Sequence, residues 1–108
     1  MQEITPFNEL LPQLGAFQKV NAFESGRTCN SPAQNKSIRS QYEVVFENGS
    51  VFQSYDTIIG VKLNGGKLYL SKEHSHSVTT NKYCTMWCGI DKKERLAGLE
   101  DGSIYPME

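Results

Sequence analysis

Two glycine-bearing turn signals constrain this chain more than anything else in it. They are Asn48-Gly49 and Asn64-Gly65-Gly66, each flanked by runs rich in Val, Ile, Leu, Phe and Tyr. Asn-Gly is the dipeptide that most readily supplies positive φ at both central positions of a type I′ hairpin turn. A turn centred on Asn48-Gly49 places Phe46 opposite Val51, Val45 opposite Phe52 and Val44 opposite Gln53. Tyr42, Val44, Phe46 and Val51 then share one face, and Val45 and Phe52 the other. Apolar groups on both faces predict a hairpin covered on part of each side. For the second hairpin two registers compete. A turn at Asn64-Gly65 sets Lys62 against Lys67, and like charges directly opposed destabilise a ladder. A turn at Gly65-Gly66 gathers Ile59, Val61, Leu63, Leu68 and Leu70 on one face. The second is preferred, because a one-residue slip would turn that set toward water.

A short helix follows. Tyr83, Met86, Trp87 and Ile90 recur at helical spacing, Thr79 or Thr80 is a fitting N-cap, and Gly89 a fitting C-terminal stop. Residues 91–101 predict a second helix, with Asp91 and Glu94 at capping-box spacing and Leu96 and Leu99 as its apolar contacts. Gly98 should weaken it by about 1 kcal/mol relative to Ala. Ile104 and Tyr105 suit either a short edge strand or a cover over the core. Toward the N-terminus, Ile4, Phe7, Leu10, Leu11, Leu14, Phe17 and Val20 fall three or four apart. Thr5-Pro6 suits a helix start, and Pro12 predicts a kink or a fresh start running to Val20. Residues 1–24 therefore read as a helical segment docked on the sheet, or alternatively as an apolar helix for a partner or a second copy of the chain. Residues 25–40 are polar and turn-rich, a loop or linker holding Cys29, and 41–108 form the core domain. The expected class is α+β: an antiparallel meander of about four strands, short helices on one face, and an N-terminal helical segment.

Bulk properties narrow the function. A chain of 108 residues suits one domain. Eleven Lys+Arg against twelve Asp+Glu leave no basic bias of the kind nucleic-acid binding favours. Three cysteines in no paired framework, with no signal-peptide pattern, point to a reducing compartment. No apolar run approaches the ~20 residues of a membrane helix.

The chemistry-bearing residues are few. His74 and His76 lie on one side of an extended segment, and Cys84 and Cys88 on one side of the helix. Together they could form a two-His, two-Cys zinc set, although the spacing fits no common zinc module and buried thiols pack well beside Trp87. A thiol–imidazole pair drawn from the same residues lacks any visible orienting group. No phosphate loop, cofactor motif or set-apart carboxylate pair is present, and a non-enzymatic protein is expected. Gln53, Ser54, Tyr55, Asp56 and Thr57 form a polar, aromatic connection between the hairpins. It is read as turn chemistry or as a recognition edge built around an amphipathic Tyr. Alternation places Lys62 beside Tyr69, so Lys and Tyr side chains could form a platform for single-stranded nucleic acid.

The order Glu47-Asn48-Gly49, Phe52 to Ile59 with Ser-Tyr-Asp-Thr inside it, Gly66-Lys67-Leu68-Tyr69-Leu70, and Ser77 to Tyr83 ending at Gly89 resembles a family of small phage and prophage proteins of unknown function. The resemblance spans about residues 41–105, and the two helix cysteines depart from its pattern. It carries over no catalytic residue. It implies an accessory protein working in the host cytoplasm by binding a host or defence protein. The expected contact surfaces are the 54–57 connection, the 25–40 loop and the N-terminal segment. A small nucleic-acid-binding module is the alternative.

Overall fold

The computed structural model describes residues 3–24 and 37–108. Its elements are α1 (Phe7–Leu14), β1 (Phe17–Glu24), β2 (Ser37–Phe46), β3 (Gly49–Ser54), β4 (Thr57–Leu63), β5 (Leu68–Ser71), α2 (Val78–Cys88), α3 (Lys92–Asp101) and β6 (Tyr105–Met107). The strands form one six-stranded sheet in sequence order, antiparallel from β1 to β5. β6 then joins β5 in parallel. A parallel pair needs a crossover, and α2 and α3 supply it. The meander is thus longer than four strands, and the class is α+β as the patterning implies.

Helices cover both faces of the sheet rather than one. On one side α2 and α3 bury Phe52, Ile59, Leu70, Tyr83, Cys84, Trp87 and Ile104. On the other, α1 buries Leu10 and Leu14 against Val51, Val61, Tyr69 and Met107. Adjacent residues on β3, Val51 and Phe52, serve the two layers, as period-2 alternation requires.

Both hairpins depart from the registers expected of them. In the first, Phe46 pairs with Gly49 and Val44 with Val51, so the turn residues are Glu47 and Asn48. Gly49 is a strand residue at negative φ. A Cβ there would strike the Lys62 carbonyl oxygen and press on Leu14, so close approach of β4 fixes this glycine, not turn geometry. The shift is two residues, so the faces are unchanged. In the second hairpin Gly60 pairs with Leu70, Val61 with Tyr69 and Lys62 with Leu68, around a three-residue loop at 64–66. This differs by one residue from the preferred register, and the faces exchange. Val61 joins the α1 layer while Leu70 joins the α2 layer. A β-bulge between β3 and β4, where Gln53 pairs with Ile58 but Phe52 with Gly60, lets Ile59 remain in the α2 layer.

The N-terminal apolar periodicity belongs to two elements. α1 stops at Gly15, φ 80°, and Phe17–Glu24 is a strand paired with β2. Pro6 is the N-cap and Pro12 lies within the helix. Phe17 and Val20 are 58% and 50% exposed, so they are not core positions. Residues 37–40 belong to β2. The rest of the expected loop, including Cys29, lies outside the described residues.

α2 is capped by Ser77, whose hydroxyl accepts from the Thr80 amide at 3.1 Å, two or three residues before the cap expected at Thr79 or Thr80. Its buried stripe is Thr80, Tyr83, Cys84 and Trp87, and Met86 is 53% exposed. Gly89 closes the helix in the left-handed region. α3 carries the anticipated capping box at Asp91 and Glu94. It turns Arg95 and Gly98 inward, however, while Leu96 is exposed.

Candidate functional site

The Ser54–Thr57 stretch is the tight turn of a β3–β4 hairpin. Ser54 pairs with Thr57, leaving Tyr55 and Asp56 as the two loop residues. Tyr55 has φ 53° and is the one non-glycine residue at positive φ among the described residues. Positive φ at the first loop residue alone is the type II′ pattern, where glycine is preferred. A Tyr there carries backbone strain that glycine would not, and the residue is 60% exposed. The Gln53 amide donates to the Tyr55 carbonyl at 2.7 Å, bracing the turn. Ser54 points inward. Its hydroxyl accepts from Gln41 Nε2 at 3.0 Å and shares a bond of 3.0 Å with Thr80 on α2. Asp56 and Thr57 are exposed.

Beside this turn lies a groove of about 620 Å³, lined largely by apolar groups. It occupies the end of the sheet where β4 begins and where β5 and β6 finish. Ile58, Phe7, Ile4 and Met107 form its apolar wall, and Asp56 and Lys72 stand at its rim. Ile4 is 55% exposed. Its segment is laced to the C-terminal strand by Thr5 N–H to Pro106 O at 3.1 Å, Phe7 N–H to Glu108 O at 2.7 Å and Glu108 N–H to Thr5 O at 3.0 Å. A concave apolar surface with a few polar groups at its margin is the usual form of a recognition site.

The structure does not bring the other expected contact residues together. Lys62 pairs with Leu68 while Tyr69 pairs with Val61, so Lys62 and Tyr69 occupy opposite faces. Tyr69 is buried, 5.2 Å from the Tyr105 ring. Lys62 donates to the Trp87 carbonyl at 3.0 Å and lies over the indole, fastening the end of α2. Lys67 and Lys82 lie over Tyr105 and Tyr83. The exposed Lys/Tyr platform therefore does not form from these residues.

Nor do His74, His76, Cys84 and Cys88 converge. Among the described residues no group of three or more His, Cys, Asp or Glu side chains is arranged to hold a metal. His76 is exposed and pairs with Glu73 at 3.7 Å. His74 is buried, and its Nδ1 accepts from Arg95 Nε at 3.0 Å. Burial first, then the charges of Arg95 and Lys92, hold its pKa down to about 4. The imidazole is thus a neutral acceptor for a guanidinium, a role its position in the sequence does not announce.

Arg95 is the residue the sequence conceals. It is fully buried, and it also donates to Thr85 Oγ1 at 2.8 Å, Ile90 O at 2.8 Å and Asn81 Oδ1. It ties α2, the α2–α3 connection and the segment after β5 into one unit. Its helical phase is shared with Gly98 and with Leu99, which packs against the α2 layer, the one sequence hint of an inward-facing arginine.

No curated protein and no solved structure matches the chain. One family model does, over residues 28–102, which begins before the 41–105 stretch that resembles the phage and prophage proteins. With 75 of its 108 residues inside that match, the chain belongs to the family of unknown function DUF8033.

Proposed function

We propose that this chain is a small non-enzymatic binding protein that grips a protein partner through the Tyr55 turn and the apolar groove beside it. The observation that carries the reading is Tyr55 itself. A large amphipathic residue, 60% exposed, is held at φ 53° where glycine would be less strained. Strain kept at an exposed tip is explained by what the side chain does there, and tyrosine is favoured in contact surfaces. The groove supplies apolar area beside the same turn, whose Asp56 and Thr57 belong to its lining. Following the resemblance to phage proteins, the partner is a host or defence protein met in the host cytoplasm. No described helix is long and apolar enough to cross a membrane, in keeping with a partner met in water.

The test is affinity capture from host lysate, with and without nuclease, using the wild type and Tyr55→Gly side by side. Glycine accepts the turn geometry, so the variant keeps its fold. The expected result is one stoichiometric protein, resistant to nuclease and to moderate salt, retained by the wild type and lost by the variant. Nuclease-sensitive recovery, with the steep salt dependence of phosphate contacts, would favour the nucleic-acid module instead. Equal capture by both forms would remove Tyr55 from the contact surface.

A further inference from the structure

The chain carries two Asn-Gly dipeptides, Asn48-Gly49 and Asn64-Gly65, and the fold holds them differently. Such a pair has a reactivity of its own. The backbone nitrogen after an asparagine can attack that asparagine's side-chain carbonyl carbon. A glycine in the following position has no Cβ to hinder the approach and leaves the backbone free to rotate into it. Ring closure needs an asparagine side chain with room to turn, a following N–H not engaged elsewhere, and water.

At Asn48-Gly49 the sheet withholds that freedom. Gly49 is a ladder residue, paired with Phe46 on β2 and Leu63 on β4. Its backbone is enclosed by the Lys62 carbonyl oxygen and by Leu14. Asn48 is tied on both sides: its N–H donates to Leu14 O at 2.8 Å, and its carbonyl accepts from Asn64 N–H at 2.8 Å. Asn64-Gly65 is open by comparison. Asn64, Gly65 and Gly66 are all exposed. A Cβ added to Gly65 or Gly66 would meet nothing within 4 Å. Asn64 N–H and Gly66 N–H are bonded, to Asn48 O and Leu63 O. Gly65 N–H lies between them and has no acceptor among the described residues. Asn64 Nδ2 makes one long contact, 3.4 Å to Glu47 O, so little holds the side chain back.

We propose that Asn64 is a self-modification site, an asparagine that closes to a succinimide in the folded protein and hydrolyses to aspartate and isoaspartate, while the sheet protects Asn48. In the first step the Gly65 nitrogen gives up its proton and bonds to Asn64 Cγ. The Cγ–Nδ2 bond breaks, and Nδ2 leaves as ammonia. Water then opens the ring at one of its two carbonyls. Opening at Cγ gives aspartate. Opening at the backbone carbonyl gives isoaspartate, in which the main chain runs through the former side chain. Either product loses the donor to Glu47 O and sets a carboxylate beside that oxygen, and isoaspartate also lengthens the loop between β4 and β5. Position 64 and the Tyr55 turn lie at opposite ends of β4, so the modification is separate from the binding surface proposed above.

The experiment incubates the folded full-length chain in warm, mildly alkaline buffer beside the same chain in guanidinium chloride. Peptide mass spectrometry follows conversion at each asparagine and separates aspartate from isoaspartate. Unfolded, the two Asn-Gly sites should convert at similar rates. Folded, Asn64 should stay within about threefold of its unfolded rate, whereas Asn48 should slow about tenfold or more, because ring closure there waits on local opening of the ladder. Isoaspartate should accompany aspartate at position 64, as ring opening requires. Asn64→Gln has a longer side chain that closes the ring poorly, and it should remove most of the acidic form that ion exchange resolves from aged protein. Trp87 fluorescence reports the fold of that variant, and the wild-type map decides the question without it. The proposal is overturned if Asn64 in the folded chain is as slow as Asn48, or if aspartate forms there without isoaspartate. An acidic form that accumulates undiminished in the folded Asn64→Gln variant would overturn it as well.

Discussion

Lowering the pH from 7 to 5 should strip stability from this protein through one imidazole. His74 is 3% exposed and accepts a hydrogen bond from Arg95 Nε, so a proton on its Nδ1 would face a cationic donor. Its pKa falls from 6.5 to about 4, through burial first and then Arg95 and Lys92. The folded value lies below the unfolded one, so as pH falls below 6.5 the unfolded chain takes up the proton first. The contribution is complete above that pH and drains away down to about 4. Across the whole window it amounts to about 3 kcal/mol, of which about 2 kcal/mol is gone by pH 5. Urea unfolding followed by the single Trp measures it directly. His74→Asn is the matched control: its amide oxygen can stand in for Nδ1, and it does not titrate. The wild type should lose about 2 kcal/mol more than the variant between pH 7 and pH 5; carboxylates common to both cancel. Equal losses would refute the account of His74 as a neutral acceptor for Arg95.

Three further outcomes follow from the packing. Gly98→Ala, a change that ordinarily strengthens a helix, should destabilise by about 1–3 kcal/mol, read as a lower urea midpoint. The added Cβ would lie 2.6 Å from Ile104 Cγ1, and Ile104 is held in the α2 layer. Tyr55→Asn should leave the melting temperature unchanged or raise it, because Asn tolerates the left-handed region; a clear drop would show that the ring contributes to the fold. Trp87→Phe removes the 3.1 Å bond from Nε1 to Ser50 Oγ and should cost about 1–2 kcal/mol, with Phe52 stacking partly kept.

Local signals carried far into this structure, and non-local contacts decided the rest. The capping box at Asp91, the stop at Gly89 and the α+β class follow from side chains acting on their own neighbours. The hairpin registers do not. Gly49 looks like a turn residue, but the Lys62 carbonyl claims its missing side chain, and that contact comes from a strand further along the chain. The bulge at Ile59-Gly60 similarly breaks an alternation that the sequence displays cleanly. Phe17 and Val20 continue the helical spacing of α1 by coincidence, and Gly15, where α1 stops, was the local sign against it. In the candidate site, Tyr55 and its neighbours were legible as turn chemistry. Their strain and the adjoining groove were not, because both depend on where β5, β6 and the N-terminal segment come to rest. Arg95 sits in a run of charges that reads as a solvated face, and only its helical phase with Gly98 and Leu99 hints at the interior.

The lacing of Thr5–Phe7 to Pro106–Glu108 has a mechanical consequence. These two segments run parallel, so tension applied between the chain's ends would pull them past each other lengthwise. All three connecting bonds would then be loaded together instead of being peeled apart one after another. A machine that tugs on either terminus must therefore shear this clasp before it can reach the sheet behind it.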